Sequence, residues 1–309
     1  MPSDGFQTKS IIYYNQTDRI SSNRNLILFP ISFLWGTGVC IDRGSETVKP
    51  VRLRMVQTES AIGDIEKNVD GMLDFVNNGH DVICFPEMCL TGYSSEQSPK
   101  HAINTEDESI KKLVGAACEY GTTVVFGFPE RSSDGVYVTQ AAATPDGGLE
   151  LYRKTHLGRF EKKYFLQGDG FLCAETENVS IGLQLCWESH IPDISTVLRH
   201  MGAELILNPH ASFKDSGKRV EIWKKYLPAR AYDNRVFFAA CDAIKDGRGG
   251  GIIVLDPRGD VVGEHSSSEE YALDCVLDPK LLKRASPEDK GTMDGMDFFL
   301  KRRPELYRP

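Results

Sequence analysis

Cys186, Glu87 and Lys154 each follow an apolar run: "IGLQLC", "VICFPE" and "LELYRK". Glu161 comes later in the Lys154 loop, ahead of the aromatic pair Tyr164-Phe165. Each has an ordinary explanation by itself, because a free cysteine is most often buried and a loop carboxylate is most often solvated. Together they compose a reaction. A thiol with a pKa of about 8.5 is weakly ionised at neutral pH, but a carboxylate can take its proton and an ammonium eases formation of the thiolate. Attack on an amide carbon places negative charge on the carbonyl oxygen. Lys154 and the backbone N–H of Trp187 could stabilise that charge, while the proton held by Glu87 is returned to the leaving nitrogen. Water deprotonated by Glu87 then releases the acyl group, with Glu161 holding Lys154 or Glu87 by hydrogen bonds.

These side chains need elements that present them. Ile181, Leu183 and Leu185 alternate with other uncharged residues, the pattern of a strand buried on both faces. Ile194, Val197, Leu198 and Met201 recur at helical spacing after Pro192, so Cys186 lies where a strand turns toward a helix. Such a position exposes a side chain at a sheet's end and aims backbone N–H groups at its target. Upstream, "VRLRMVQ" reads as a strand, Ile65 to Val76 as a helix, "DVICFPE" as a strand, Ile110 to Ala117 as a helix and "TTVVFGF" as a strand. "VYVTQAAATPDGGLELYRK" reads as two strands joined at Pro145-Asp146-Gly147-Gly148. Downstream come strand "AELILNP", one helix through "RVEIWKKYLPARAYDN", strand "VFFAACDA", a hairpin turning at Pro257-Arg258-Gly259, and strand "YALDCVLD". Two similar α/β halves with buried strands predict a four-layer α-β-β-α sandwich.

The chain bears a formal net charge of −8 and has no basic stripe with interleaved aromatics, which argues against a nucleic-acid partner. Its eight cysteines are scattered without a CxxC pair, and no His/Cys group has zinc-site spacing, so we expect a reducing cytoplasmic setting, no metal and no cofactor. "LILFPISFLWGTGVC", residues 26–40, is apolar but broken by proline and glycines and too short to span a bilayer. It also lacks the basic start and cleavage site of a secretory signal. Residues 1–49 read as an irregular extension, and 50–309 as the main domain with a C-terminal tail from about residue 290.

With these motifs in view, the chain from about residue 51 onward resembles the nitrilase superfamily of carbon–nitrogen hydrolases. "FPEMCLTGYS", "YRKTHL", "EKKYF" and "LQLCWESHIPD" are similar to its catalytic motifs and map to Glu87, Lys154, Glu161 and Cys186. "GAELILNP", "ARAYDNRVFFAAC", "GGGIIVLDPRGDVVGE" and "RRPELY" follow in the family's order. The resemblance implies the four-layer sandwich, metal-free hydrolysis through a thioester, a small-molecule amide, carbamoyl or nitrile substrate, and a homodimer or higher homo-oligomer.

The motif flanks are mixed. "CWE" and the Gly168-Asp169-Gly170 stretch resemble true nitrilases, whereas "YRKTHL", "EKKYF" and "NPHASF" resemble amidases and carbamoylases, and the amide reading is preferred. A nitrilase, or a catalytically silent relative that serves as a binding module, is the alternative. His210 and Lys214 lie where family members often bind the far end of the substrate; Arg219 could assist, and the three would suit a carboxylate. Two positions depart from the pattern. Thr196 stands where the family carries an arginine after the nucleophile, and Asp242 stands where many relatives have an asparagine.

Overall fold

The computed structural model describes residues 49–282 together with Arg302, Arg303 and Leu306. The expected extension and most of the C-terminal tail fall outside these residues. The first half contributes β1 (Val51–Gln57), α1 (Ile65–Leu73), β2 (Val82–Cys84), α2 (Glu108–Tyr120), β3 (Thr123–Arg131), β4 (Val136–Ala143) and β5 (Leu149–Arg153). The second contributes β6 (Leu172–Glu175), β7 (Ser180–Leu183), α3 (Pro192–His200), β8 (Leu205–His210), α4 (Ser216–Trp223), α5 (Leu227–Asn234) and β9 (Phe237–Asp242). The short hairpin β10 (Ile244–Lys245) and β11 (Arg248–Gly249) follows, then β12 (Ile252–Leu255), β13 (Val261–His265) and β14 (Tyr271–Leu277).

Two mixed six-stranded sheets result, ordered β14-β1-β2-β3-β4-β5 and β13-β12-β9-β8-β7-β6. Parallel pairing joins β1 to β2 and β2 to β3 in one sheet, and β7 to β8 and β8 to β9 in the other. The near-continuous apolar runs are sorted by the period-two alternation of strand side chains. Leu53, Met55, Cys84 and Val125 of the first sheet share one core with Ile181, Leu183, Leu207 and Ala239 of the second. Their neighbours turn the other way. Ile83, Val124 and Phe126 pack under α1 and α2, whereas Ile206, Phe238 and Ile253 pack under α3, α4 and α5. Burying each large apolar side chain is worth roughly 1.5–3 kcal/mol, so both faces of both sheets contribute. The order is helix, sheet, sheet, helix, the expected four-layer sandwich.

The single helix expected through "RVEIWKKYLPARAYDN" is instead two, α4 and α5, separated at Lys224–Tyr226. Pro228 accounts for the break: its ring would meet the Lys224 carbonyl in a continuous helix, and it sits instead in the first turn of α5. Strand β6 and the β10–β11 hairpin were not expected, being too short to leave a periodic signal. Thr196 accepts a hydrogen bond from Arg302 at 3.0 Å, so an arginine of the chain's far end reaches that position on α3.

One glycine seats the Glu87 turn on the first sheet. Leu90 N–H donates to the Gly127 carbonyl at 3.0 Å, and Gly127 N–H donates to the Cys89 sulfur at 3.4 Å. A Cβ on Gly127 would fall 2.4 Å from Met88 N and 2.6 Å from Gln140 Oε1. The turn can approach β3 only because the side chain is missing. Gly127→Ala is therefore expected to lower the unfolding free energy by about 1–3 kcal/mol in a urea titration. Gly115→Ala, on the exposed face of α2 where an added Cβ meets nothing within 4 Å, should raise it by up to about 1 kcal/mol.

Candidate active site

The four residues nominated for chemistry arrive from opposite sheets. Glu87 follows β2 and Lys154 follows β5 in the first sheet, whereas Cys186 follows β7 in the second. Glu161 opens a short 3-10 turn, Glu161–Lys163, in the loop after Lys154. Carboxyl ends of parallel strands are where α/β sheets leave a crevice, and β2 and β7 both belong to parallel pairs.

Lys154, 1% exposed, donates to Glu87 Oε1 at 2.7 Å and to Glu161 Oε1 at 2.9 Å. Glu161 also accepts from the Tyr93 hydroxyl at 3.0 Å and from Gly158 N–H. Burial by itself would drive the Lys154 ammonium toward neutrality, but the charges of Glu87, Cys186 and Glu161 hold its pKa well above the usual lysine value. Glu87 responds in the opposite sense. Burial raises its pKa to about 7, only partly opposed by Lys154 and reinforced by the Glu161 and Glu188 charges.

Cys186 keeps part of its surface exposed and adopts φ 51°, a left-handed conformation rare for a residue with a Cβ. Such a conformation costs on the order of 1 kcal/mol or more and persists only where neighbours over-determine it. Here they do. Asn208 donates to the carbonyls of Gln184 and Cys186, both at 3.2 Å, and Ser189 Oγ donates to the Cys186 carbonyl at 2.9 Å. Met88, directly after Glu87, is also left-handed at φ 60°. Burial pushes the Cys186 thiol far above the usual cysteine range, with Glu87 adding to the shift and Lys154 opposing it. The resting pair is therefore a neutral thiol beside a carboxyl group that titrates near neutrality.

Trp187 is the second residue of the 3-10 turn Cys186–His190; it is 37% exposed, with its ring edge-on to His156. His156 itself bonds Thr155 Oγ1 at 2.8 Å, and Lys162 and Lys163 are solvated as expected.

The three residues nominated for substrate binding differ in kind. His210 is 1% exposed and donates from Nε2 to Asn208 Oδ1 at 2.7 Å, an arrangement that assigns the imidazole proton to Nε2. Burial, then the Arg219 and Lys154 charges, hold its pKa well below the usual histidine value, so it is a neutral support behind Asn208. Arg219 is buried too, with Nε 3.3 Å from Asp242 Oδ2 and a hydrogen bond from Nη2 to Ser212 Oγ. The departure at Asp242 thus has a partner: its carboxylate neutralises Arg219 and accepts Ser212 N–H at 2.8 Å. Lys214 is exposed.

Tyr93, Asn208 and Glu188 were not singled out from sequence. Glu188 is fully buried two positions past Cys186, where a carboxylate would ordinarily be read as solvated. Among the described residues, no group of three or more His, Cys, Asp or Glu is arranged to hold a metal ion, and no helix is long and apolar enough to cross a membrane.

Residues 52–284 match the carbon-nitrogen hydrolase family. A probable nitrilase of Schizosaccharomyces pombe is 26% identical over 275 residues, covering 82% of this chain and 96% of the relative. The (R)-stereoselective amidase of a Pseudomonas species is 27% identical over 238 residues, 74% of this chain and 86% of the relative. The crystal structure of an amidase from Nesterenkonia sp. superposes with a TM-score of 0.69 at 23% identity, over 84% of this chain and 96% of that one, a likeness of fold. With the family matched across most of its length and the sandwich in place, this chain belongs to the carbon-nitrogen hydrolase family, within the nitrilase superfamily.

Proposed function

We propose that the protein hydrolyses non-peptide carbon–nitrogen bonds of small amide or N-carbamoyl substrates through a thioester on Cys186, releasing ammonia. The observation that carries this reading is the buried ammonium of Lys154 held between Glu87 and Glu161 beside a strained cysteine.

In this reaction Cys186 Sγ attacks the carbonyl carbon while its proton passes to Glu87. The transfer is assisted by its own outcome: once Glu87 is neutral, its repulsion of the thiolate ends and the attraction of Lys154 remains. The oxyanion is met by the Lys154 ammonium and by Trp187 N–H, which lies in the first turn of a 3-10 segment where N–H groups point away from the helix. Glu87 then protonates the nitrogen, the C–N bond breaks and ammonia departs. Water attacks the thioester as Glu87 takes its proton, the C–S bond breaks, and the thiol is restored. Glu161 keeps Lys154 charged and aimed throughout.

A nitrile would use the same nucleophile through a thioimidate, which needs a second proton and a water before ammonia leaves. The relative called a probable nitrilase keeps that reading in view. As for the substrate's far end, His210 is neutral and Arg219 is paired with Asp242, so among the nominated residues Lys214 would meet an anionic group.

The test is ammonia release from a panel of nitriles, short amides, ω-amides and N-carbamoyl compounds across pH 5–9. Glu87 must be ionised to accept the thiol proton, so kcat/KM for an amide should rise with pH through about 7 and level off above it. Glu87→Gln should lose that limb and at least about 100-fold in kcat/KM, and Cys186→Ala should be silent. Turnover confined to nitriles, or amide turnover that survives in Cys186→Ala, would overturn the reading.

A further inference from the structure

Glu188 has no part in the reaction just described, yet it is wholly buried and lies between the elements that supply the ammonium and the thiol. From the first sheet it accepts the Tyr152 hydroxyl at 2.8 and 2.9 Å, Thr155 N–H at 3.0 Å, Thr155 Oγ1 at 2.8 Å and His156 N–H at 2.9 Å. From the second sheet it accepts Leu185 N–H at 2.7 Å, the residue just before the nucleophile. Tyr152 and Thr155 bracket Lys154 in sequence.

We infer that Glu188 is a positioning residue, a carboxylate clamp across the two sheets that holds the Lys154 strand end and the Cys186 turn in register. The inference rests on the proposed roles of Lys154 and Cys186. Every hydrogen bond to this side chain comes from a donor, with the His156 imidazole Nδ1 a further 3.6 Å from Oε1, and an ionised carboxylate is the side chain that only accepts. Burial opposes its ionisation, but bonds from His156 and Leu185 and the Lys154 charge keep its pKa below the usual glutamate value. A glutamine would turn its NH₂ toward donors and leave buried polar groups unpaired. An aspartate is one methylene too short to span the same groups.

The clamp also has an electrostatic side. The Glu188 charge is among those that raise Glu87 toward neutrality, and Lys154 in turn is among those that keep Glu188 ionised. Loss of that charge should lower the pKa of Glu87 and move the pH limb of activity to lower pH, an effect that destabilisation elsewhere would not produce.

The experiment compares Glu188→Gln, Tyr152→Phe and Ile253→Val with the wild-type protein. Ile253 lies in the core beneath the outer helices, so its variant reports simple destabilisation. Measured are Tm, kcat and KM on an amide, the pH limb, and the rate at which iodoacetamide alkylates Cys186. Glu188→Gln should lose about 100-fold in kcat with KM within about twofold, alkylate several-fold more slowly, and shift the limb toward acid. Tyr152→Phe, which removes one donor and keeps the carboxylate, should lose about 3- to 10-fold in kcat, and it carries the test if Glu188→Gln does not fold. If either variant loses no more kcat and alkylation rate than Ile253→Val at matched Tm, the clamp is refuted. If the wild type turns over no amide, the proposed function fails. The alkylation rates still decide the clamp in that case, and slowed alkylation in the clamp variants supports it.

Discussion

The Lys154 ammonium sits where water cannot reach it, 1% exposed, and touches two carboxylates that are nearly as buried. Charges in such a setting are stable only as a set. Their mutual attraction must offset a desolvation cost of several kcal/mol for each ion, and removal of one partner leaves the others uncompensated. The set also fixes the chemistry available. With one cation shared between two carboxylates, Glu87 is left basic enough to titrate near neutrality, which is the range a proton shuttle at physiological pH requires. A lysine facing solvent would give neither the charge density nor the shifted carboxyl group.

The arrangement has an architectural price: Glu87 and Lys154 follow strands of one sheet and Cys186 a strand of the other. Their separation is therefore set by how the two sheets pack. The shared core, from Leu53 and Met55 to Leu183 and Leu207, fixes that spacing across the interior. At the rim, where the core ends and the site begins, polar contacts take over. Glu188 joins the two strand ends, Asn208 holds the carbonyls around Cys186, and His210 supports Asn208. Two left-handed residues, Met88 and Cys186, mark where the chain bends to bring its side chains inward. Strain at these points is held in place by the bonds around them.

Much of this was legible in the sequence, and the limits are instructive. Strand alternation and the apolar-run-then-polar pattern located Glu87, Lys154 and Cys186, because a reactive residue at a strand's end interrupts an otherwise continuous apolar run. The hairpins at residues 145–148 and 257–259 were equally visible, since Pro, Asp and Gly carry their own turn geometry. Charge was harder to interpret. His210 and Arg219 looked like groups waiting for an anion, but the fold buries both, leaves one neutral and pairs the other with Asp242. Glu188 stands in the "CWE" stretch, but nothing there marked it as buried between the two sheets. Its donors are mostly backbone N–H groups and hydroxyls far away in sequence, which no local pattern encodes. Pro228 did encode the break between α4 and α5, and helical periodicity on both sides obscured it.

The central claim is that one thiol, Cys186, carries the reaction by virtue of the charges around it. Its most direct test is stoichiometric alkylation with iodoacetamide, followed by peptide mapping and assay of the same samples. The expected result is that activity falls in proportion to the fraction of Cys186 modified. Labelling of Cys118, exposed on the outer face of α2, should have no effect. Full turnover by protein whose Cys186 is completely and selectively alkylated would contradict the account.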